Sequence, residues 1–318
     1  MSARPLTSRG WLLAASTATA AAICLLPAGA ALATPGATGP AANISAPAET
    51  AAPVVPASLP SGTEDATAAL AATPWVTTGA VDQNGAPVAL DDPRAANFVG
   101  NAYFKSDGTY TMYHLDGTPK LRGHWDMRFV DGKLSRWITS ENAAGEVQWQ
   151  RIVEIVDLDS GFFTYRVVDP ADASKWVDIV HEPTRVIEPG TEQAAVEAAT
   201  AALAATPWET TGATDESGAP VALDDPRAAN FVGNAYFKAD GTFTMYALDD
   251  SPKMHGNWEM RVVDGKLSRW IQALNADGSV AFERTVEIVR LDSGFFTYRV
   301  PGANGAFVDI VHEPTDHA

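Results

Sequence analysis

Two arginines fall among apolar residues in segments whose side chains alternate between polar and apolar. Arg151 belongs to the apolar set of 147–157, and Arg136 belongs to the apolar set of 133–140. Alternate residues of a strand face the same side, so both guanidinium groups are predicted to point inward. A buried charge without a partner is costly, so each must be paired or stacked. We favour a structural role, with Arg151 stacking on Trp75 and bonding backbone carbonyls; the alternative is binding of a ligand carboxylate.

These segments belong to a unit that occurs twice in the chain. Residues 66–167 align without gaps on 199–300 at an offset of 133, with 78 of 102 positions identical. A repeat of this length is a domain rather than one turn of a solenoid, so each copy should fold alone. We predict a first domain over 63–184, a linker over 185–195 and a second domain over 196–315.

An alanine-rich helix is predicted before each domain, over 63–72 and over 191–205. Thr191 can cap the second helix, because a threonine hydroxyl accepts hydrogen bonds from free amides of the first turn. Pro74 and Pro207 end the helices, since the residue before a proline avoids the helical region.

The first 33 residues have the features of a secretory signal peptide. A positive start with Arg4 and Arg9 is followed by an Ala- and Leu-rich run over 11–26 and by small residues up to a cleavage site near Ala33. We therefore predict a secreted, extracellular protein. A retained membrane anchor is one alternative. A lipoprotein attached at Cys24 is another, although the residue before that cysteine is too large for a lipobox.

The remaining composition narrows the classes of partner. Residues 34–62, rich in Ala, Pro, Gly, Thr and Ser, are predicted to form a disordered tether. The formal net charge of −17 should repel nucleic acid and, after cleavage, anionic membrane surfaces. Cys24 is the single cysteine, so its removal would exclude disulfides and thiolate chemistry from the mature chain.

Histidines that could act in catalysis are mostly not shared by the two copies. His114 and His124 have no histidine counterpart in the second copy, whereas His181 corresponds to His312. A single histidine at a strand end is expected to be a surface or capping residue rather than a base. No other constellation indicates an enzyme, so we predict a non-enzymatic protein.

Acidic residues give a weak indication of a cation site. Asp157 and Asp159 precede Gly161 at the alternate spacing of a calcium-binding turn, but Arg290 replaces the first acid in the second copy. The paired acids at 91–92 and 224–225 could bind a hard cation, but we favour the interpretation that they cap the segments that follow them. We predict no metal and no cofactor.

Inside each domain the apolar residues recur with a period of two, and turn dipeptides separate the runs. Asp107-Gly108 and Asp131-Gly132 are typical of two-residue hairpin turns. Eight consecutive strands describe an antiparallel meander, and closing it into a barrel removes the exposed edges. In the first copy we predict strands over 75–81, 99–105, 109–114, 122–130, 133–140, 147–157, 161–168 and 175–181.

The alternation also selects residues that could line a ligand pocket. An eight-stranded barrel is just wide enough for side chains or one small ligand. Aromatic and apolar residues would contact an apolar or flat molecule, which an arginine would orient. The predicted pocket residues are Tyr110, Met112, Trp125, Phe129, Arg136, Trp149 and Arg151, with Phe243, Met245, Trp258, Arg269, Phe282 and Arg284 in the second copy. Val262 in place of Phe129 and Phe282 in place of Trp149 predict a slightly larger second pocket.

Several segments resemble those of known β-barrel proteins. The tryptophan that opens the first strand, in 74–78, and the segments 97–104 and 162–166 are similar to a family of secreted bacterial lipocalin-like (calycin-type) proteins described as a domain of unknown function. The same segments recur 133 positions later, so the resemblance covers both domains. It implies two lipocalin-like barrels and brings no established activity.

Two functions from different classes follow. The first is a binding module that holds a small apolar or aromatic ligand inside each barrel. The second is a structural or interaction protein with filled barrels, whose two copies bind an extracellular or cell-wall partner bivalently. The volume of the interior discriminates them, because a pocket above roughly 300 Å³ favours ligand binding.

Overall fold

A computed structural model describes residues 59–316 of the chain. Within this range each copy forms one short helix followed by eight antiparallel strands that close into a barrel. The all-β fold class, with two tandem meander barrels that each follow a helix, is therefore confirmed. The predicted signal peptide with its cleavage site near Ala33, and the predicted tether except for 59–62, lie outside the described residues.

The elements of the first copy run from Thr63 to Pro183. They are α1 (Thr63–Ala71), β1 (Trp75–Asp82), β2 (Asn101–Phe104), β3 (Thr109–Tyr113), β4 (Pro119–Val130), β5 (Lys133–Glu141), β6 (Val147–Leu158), β7 (Phe163–Asp169) and β8 (Asp172–Pro183), with a 3-10 turn at Ala96–Phe98 before β2. The eight strands lie where the alternation predicts them, with ends shifted by at most three residues.

The second copy repeats this order. Its elements are α2 (Glu192–Leu203), β9 (Trp208–Asp215), β10 (Asn234–Phe237), β11 (Thr242–Tyr246), β12 (Pro252–Val263), β13 (Lys266–Leu274), β14 (Val280–Leu291), β15 (Phe296–Pro301) and β16 (Phe307–Pro314), with 3-10 turns at Ala229–Phe231 and Ala303–Gly305. In both copies each strand pairs with the next, and the first strand closes onto the eighth, as in the pair Ala80 and Ile179.

The residues at the turns determine the geometry of the hairpins. Asp131 and Gly132 both have positive φ, at 51° and 77°, which is the type I′ geometry of a two-residue turn. At the predicted Asp107-Gly108 turn only Gly108 has a positive φ, and the amide of Lys105 donates to Thr109 O. That connection is a three-residue loop, so the prediction of a two-residue turn is wrong there.

Gly123 of β4 lies against the backbone of β5 with no room for a side chain. A Cβ atom on this residue would lie 2.0 Å from the carbonyl oxygen of Thr139. The same arrangement occurs at Gly256 in the second barrel, where the distance to Gln272 O would be 1.9 Å. In each barrel the two neighbouring strands can therefore lie this close only because the residue at this position is glycine.

The helix closes the end of the barrel at which β1 begins, which we call the helix end. Ala66 and Leu70 of α1 are fully buried, and the indole Nε1 of Trp75 donates to Leu70 O over 2.9 Å. Trp75 packs edge-on against Phe163. Packed aromatic rings thus fill the helix end. The opposite end, where the connection 83–100 joins β1 to β2, we call the loop end.

The segment between the barrels contacts both of them. The Arg185 side chain pairs with Glu287 at 2.6 Å, and the amide of Ile187 donates to Gly265 O in the second barrel. Glu188 accepts hydrogen bonds from Thr111 and Lys105 of the first barrel. The predicted linker over 185–195 overlaps the first turn of α2. Thr191 makes no side-chain capping bond and donates instead to Glu188 O, so the capping prediction is wrong.

No helix between residues 59 and 316 has both the length and the apolar character needed to cross a membrane.

Candidate functional site

The interior of the first barrel encloses a cavity of about 290 Å³ at the loop end. Its wall is formed by the connection before β2 and by all strands except β1, chiefly by their ends nearest the loop end. The lining residues are Asn97, Phe98, Gly100, Asn101, Ala102, Met112, Tyr113, Lys120, Leu121, Arg136, Ile138, Trp149, Arg151, Tyr165 and His181. The cavity is therefore lined by both aromatic rings and cationic groups.

Arg136 lies at the floor of this cavity and is 2% exposed. Its position follows from the alternation of β5, in which Leu134, Arg136 and Ile138 face inward. The guanidinium carbon lies 5.1 Å from the ring centre of Phe104 and 4.5 Å from that of Tyr165. It is thus stacked among rings that separate the cavity from the packed helix end.

The Arg136 guanidinium has no carboxylate partner among the described residues. Within that part of the chain its Nε and Nη1 atoms also lack a hydrogen-bond partner. Burial lowers the pKa of Arg136, but an arginine keeps its charge in proteins. Each cation–π contact with a ring offsets about 0.5–2 kcal/mol of the desolvation cost of the guanidinium. This is less than the full cost of burying an unpaired charge.

Two further cations lie closer to the rim. The Arg151 guanidinium lies over Phe98 at 5.2 Å and over Trp149 at 5.3 Å, and the side chain is exposed. It therefore does not stack on Trp75, and that prediction is wrong, because Trp75 is buried at the opposite end. Lys120 donates to Val99 O over 2.6 Å, and its partial burial lowers its pKa.

His181 is an interior residue, 3% exposed, rather than the surface or capping residue that its sequence position predicts. Its ring stacks on Tyr165 at 5.3 Å, and its Nδ1 lies 3.2 Å from Phe163 O. Burial, and secondly the charge of Arg136, lower its pKa to about 3. His181 is therefore neutral at physiological pH and adds no charge to the cavity.

A pH dependence of stability follows for both barrels. His312 is the counterpart of His181, and both pKa values are lowered from 6.5 to about 3. As pH falls from about 6.5 to about 3, the unfolded chain binds a proton that the folded chain does not. The free energy of unfolding should therefore fall by about 1.4 kcal/mol per pH unit for each histidine.

Denaturant unfolding between pH 7 and pH 4 measures this dependence. The double variant His181→Gln, His312→Gln should show a shallower slope than the wild type by about 2.8 kcal/mol per pH unit, the sum for two residues. If the unfolding free energy of the double variant has the same slope against pH as that of the wild type, the two histidines do not cause the pH dependence.

The second barrel holds an interior space of about 30 Å³, enough for only one or two water molecules. Its lining repeats that of the first barrel, with Val232 added, except that two of the lining positions differ in residue type. Met254 replaces Leu121, and Phe282 replaces Trp149 but does not line the interior space. Phe282 instead borders a surface depression of about 470 Å³, and Met254 lines both spaces.

The prediction of a larger second pocket is therefore wrong. Phe129, which Val262 replaces, is 53% exposed and does not border the cavity. Trp149 lines the first cavity, whereas its counterpart Phe282 does not line the second space. Met254 lines both the inner space and the surface depression, as do Met245, Tyr246 and Lys253.

The structure brings together some of the predicted pocket residues and separates others. Met112, Arg136, Trp149 and Arg151 line the first cavity, and Met245, Arg269 and Arg284 line the second space. Six do not. Tyr110, Trp125, Phe243 and Trp258 are buried in the packed core beyond the cavity floor, Phe129 is exposed, and Phe282 is 37% exposed. For these six the prediction of a pocket position is wrong, because alternation identifies the inward face and not the depth along the barrel.

Sequence reasoning missed other residues that form the cavity. Asn101 is buried, and its Oδ1 has no partner among the described residues. Lys120 and Tyr165 also line the cavity. All three residues are identical in the second copy, at the offset of 133, which is the one feature of the sequence that sets them apart from the positions that differ.

Between residues 59 and 316, no group of three or more histidine, cysteine or acidic side chains is arranged to hold a metal ion.

The geometry describes a tandem of lipocalin-like eight-stranded barrels, of which the first encloses a cavity. The chain belongs to the family described as Domain of unknown function (DUF4822), whose model matches residues 67–190 and 200–318 and thus covers both copies. A search of curated proteins finds no match.

Among solved structures, the chain is similar to the tryptamine complex of the amine binding protein of Rhodnius prolixus. The two share 16% sequence identity with a TM-score of 0.23, over 40% of this chain and 70% of that protein.

Proposed function

We propose that this chain is a non-enzymatic, exported binding protein whose first barrel holds one small ligand with a flat apolar body. The observation that carries the proposal is the cavity of about 290 Å³ in the first barrel. This volume lies at the lower limit of small-molecule pockets, which is about 300 Å³, so it suits only a small ligand of one or two fused rings. Phe98, Trp149 and Tyr165 supply ring faces for stacking.

The second barrel supports the alternative function. With an interior space of about 30 Å³ it is filled by its own side chains, as expected of a structural or interaction module. We therefore propose one ligand for each chain rather than one for each barrel. The linker contacts with both barrels would hold the filled barrel beside the binding barrel.

Calorimetric titration of the full chain with three naphthalenes tests this function. The probes are neutral 2-naphthamide, anionic 2-naphthoate and cationic 2-naphthylmethylammonium. We expect at least one probe to bind with a stoichiometry of one per chain. The proposal fails if none binds with a Kd below about 1 mM, the weak limit for a specific site.

A cavity-filling variant provides the control. Ala102 lines the cavity and is 5% exposed, so Ala102→Phe would place a ring inside it. We expect this variant to lose binding by about tenfold or more while the fold is retained, as checked by circular dichroism. Unchanged binding would indicate that the probe lies elsewhere on the chain.

A further inference from the structure

The charges around the cavity of the first barrel have one sign. Arg136 lies at its floor, and Arg151 and Lys120 lie nearer the rim. No aspartate or glutamate is among the described residues that line it. The chain as a whole has a formal net charge of −17, so this interior departs from the charge of the rest of the molecule. A concave site with low-dielectric walls concentrates the field of such charges.

The second barrel separates the structural role of the buried arginine from any role in binding. Arg269 is the counterpart of Arg136, is 3% exposed and stacks on the equivalent rings, with Tyr298 at 4.5 Å. It does so beside a space that is too small for a ligand. Stacking among rings therefore accounts for the presence of an arginine in both barrels.

The two arginines differ in what surrounds them. Within residues 59–316 each guanidinium has a buried Nε without a hydrogen-bond partner, so the two differ in the space beside them rather than in their bonds. Arg136 also borders the larger cavity. The first barrel thus combines a buried guanidinium that has no carboxylate partner among the described residues with space for a group of opposite charge.

We propose that the first barrel selects a small monoanion, a carboxylate or sulfonate on a flat ring, with the anionic group toward Arg136 and the ring toward Phe98 and Trp149. This inference rests on the proposed function and adds the charge of the ligand. An anion would neutralise the buried guanidinium through charge-assisted interactions. A cation would meet three positive side chains and no acid among the described lining residues.

The three naphthalene probes test the inference on the wild-type chain, because they share one ring system and differ in charge. We expect 2-naphthoate to bind about tenfold or more tightly than 2-naphthamide, and 2-naphthylmethylammonium to bind most weakly. Equal affinities for the anion and the amide, or tighter binding of the cation, would overturn the inference and leave the proposed function standing. Absence of binding by all three probes would overturn both.

Matched arginine variants locate the charge that selects the ligand. Arg136→Met should lower the affinity for 2-naphthoate to that for 2-naphthamide and leave the amide affinity unchanged. Arg269→Met removes the equivalent arginine from the filled barrel and should leave both affinities unchanged. Loss of selectivity in Arg269→Met, or retained selectivity in Arg136→Met, would contradict the assignment. If Arg136→Met does not fold, Arg136→Gln in the same comparison serves instead.

Discussion

Replacing Gly123 with alanine is expected to destabilise the first barrel by about 3 kcal/mol or more. The added Cβ would lie 2.0 Å from the carbonyl oxygen of Thr139 and 2.9 Å from its carbon. Both contacts are with backbone of the neighbouring strand, so no side chain can rotate away. Relief would require the separation of β4 from β5.

Denaturant unfolding of the full chain measures this effect, and two variants bracket it. Gly145→Ala adds a methyl group at a turn with φ of 82° and nothing within 4 Å, so it should cost only the conformational strain of about 1–2 kcal/mol. Gly256→Ala repeats the clash in the second barrel, at 1.9 Å from Gln272 O, and should destabilise that barrel as strongly. A Gly123→Ala variant no less stable than Gly145→Ala would show that the strands separate at little cost.

Exchanging the two differing lining positions between the barrels is expected to move the binding site. The double variant Leu121→Met, Trp149→Phe gives the first barrel the residues of the second. We expect it to bind 2-naphthoate about tenfold or more weakly, a change of about 1.4 kcal/mol or more, because it loses the indole wall and gains an unbranched side chain across the cavity. Calorimetric titration of the full chain measures this loss.

The reciprocal variant Met254→Leu, Phe282→Trp should open a second site. Arg269, Tyr298 and His312 already border the space in the second barrel, so the added wall should enclose a comparable cavity. Native mass spectrometry should then show two probe molecules per chain instead of one. Phe129→Val is the matched control, because it also exchanges residues between the copies but lies outside the cavity, and it should leave binding unchanged. If the stoichiometry stays at one, the two positions do not determine the difference between the barrels.

Much of the fold could be predicted because its determinants are local. A period of two in the apolar residues identifies the strands. An Asp-Gly dipeptide such as Asp131-Gly132 identifies a turn, because its glycine accepts the positive φ that the turn requires. The inward direction of Arg136 follows from the same alternation, because a strand side chain faces one side or the other. Phe129 is a residue whose burial this alternation does not predict. It lies on the predicted inward face, two residues before a turn, and is nevertheless 53% exposed, because alternation does not report whether the barrel wall still surrounds it.

The candidate site could be predicted only in part. The direction of Arg136 is a property of β5 alone, but the absence of a carboxylate near it, among the described residues, depends on strands up to 45 residues away along the chain, such as β8 with His181. His181 also shows this limit. Its neighbours in the chain, Glu182 and Pro183, are exposed, whereas its ring is buried against Phe163 and Tyr165.

The amino-acid sequence by itself determined that the chain carries two copies of one barrel and that each copy turns an arginine inward, because repeats, turns and strand faces depend on neighbouring residues. Only the tertiary structure decided that the first barrel encloses about 290 Å³ and the second about 30 Å³. Interior volume depends on how side chains from different strands meet across the barrel. Two differences among the lining positions, at 121 and 149, accompany the change from an open interior to a filled one.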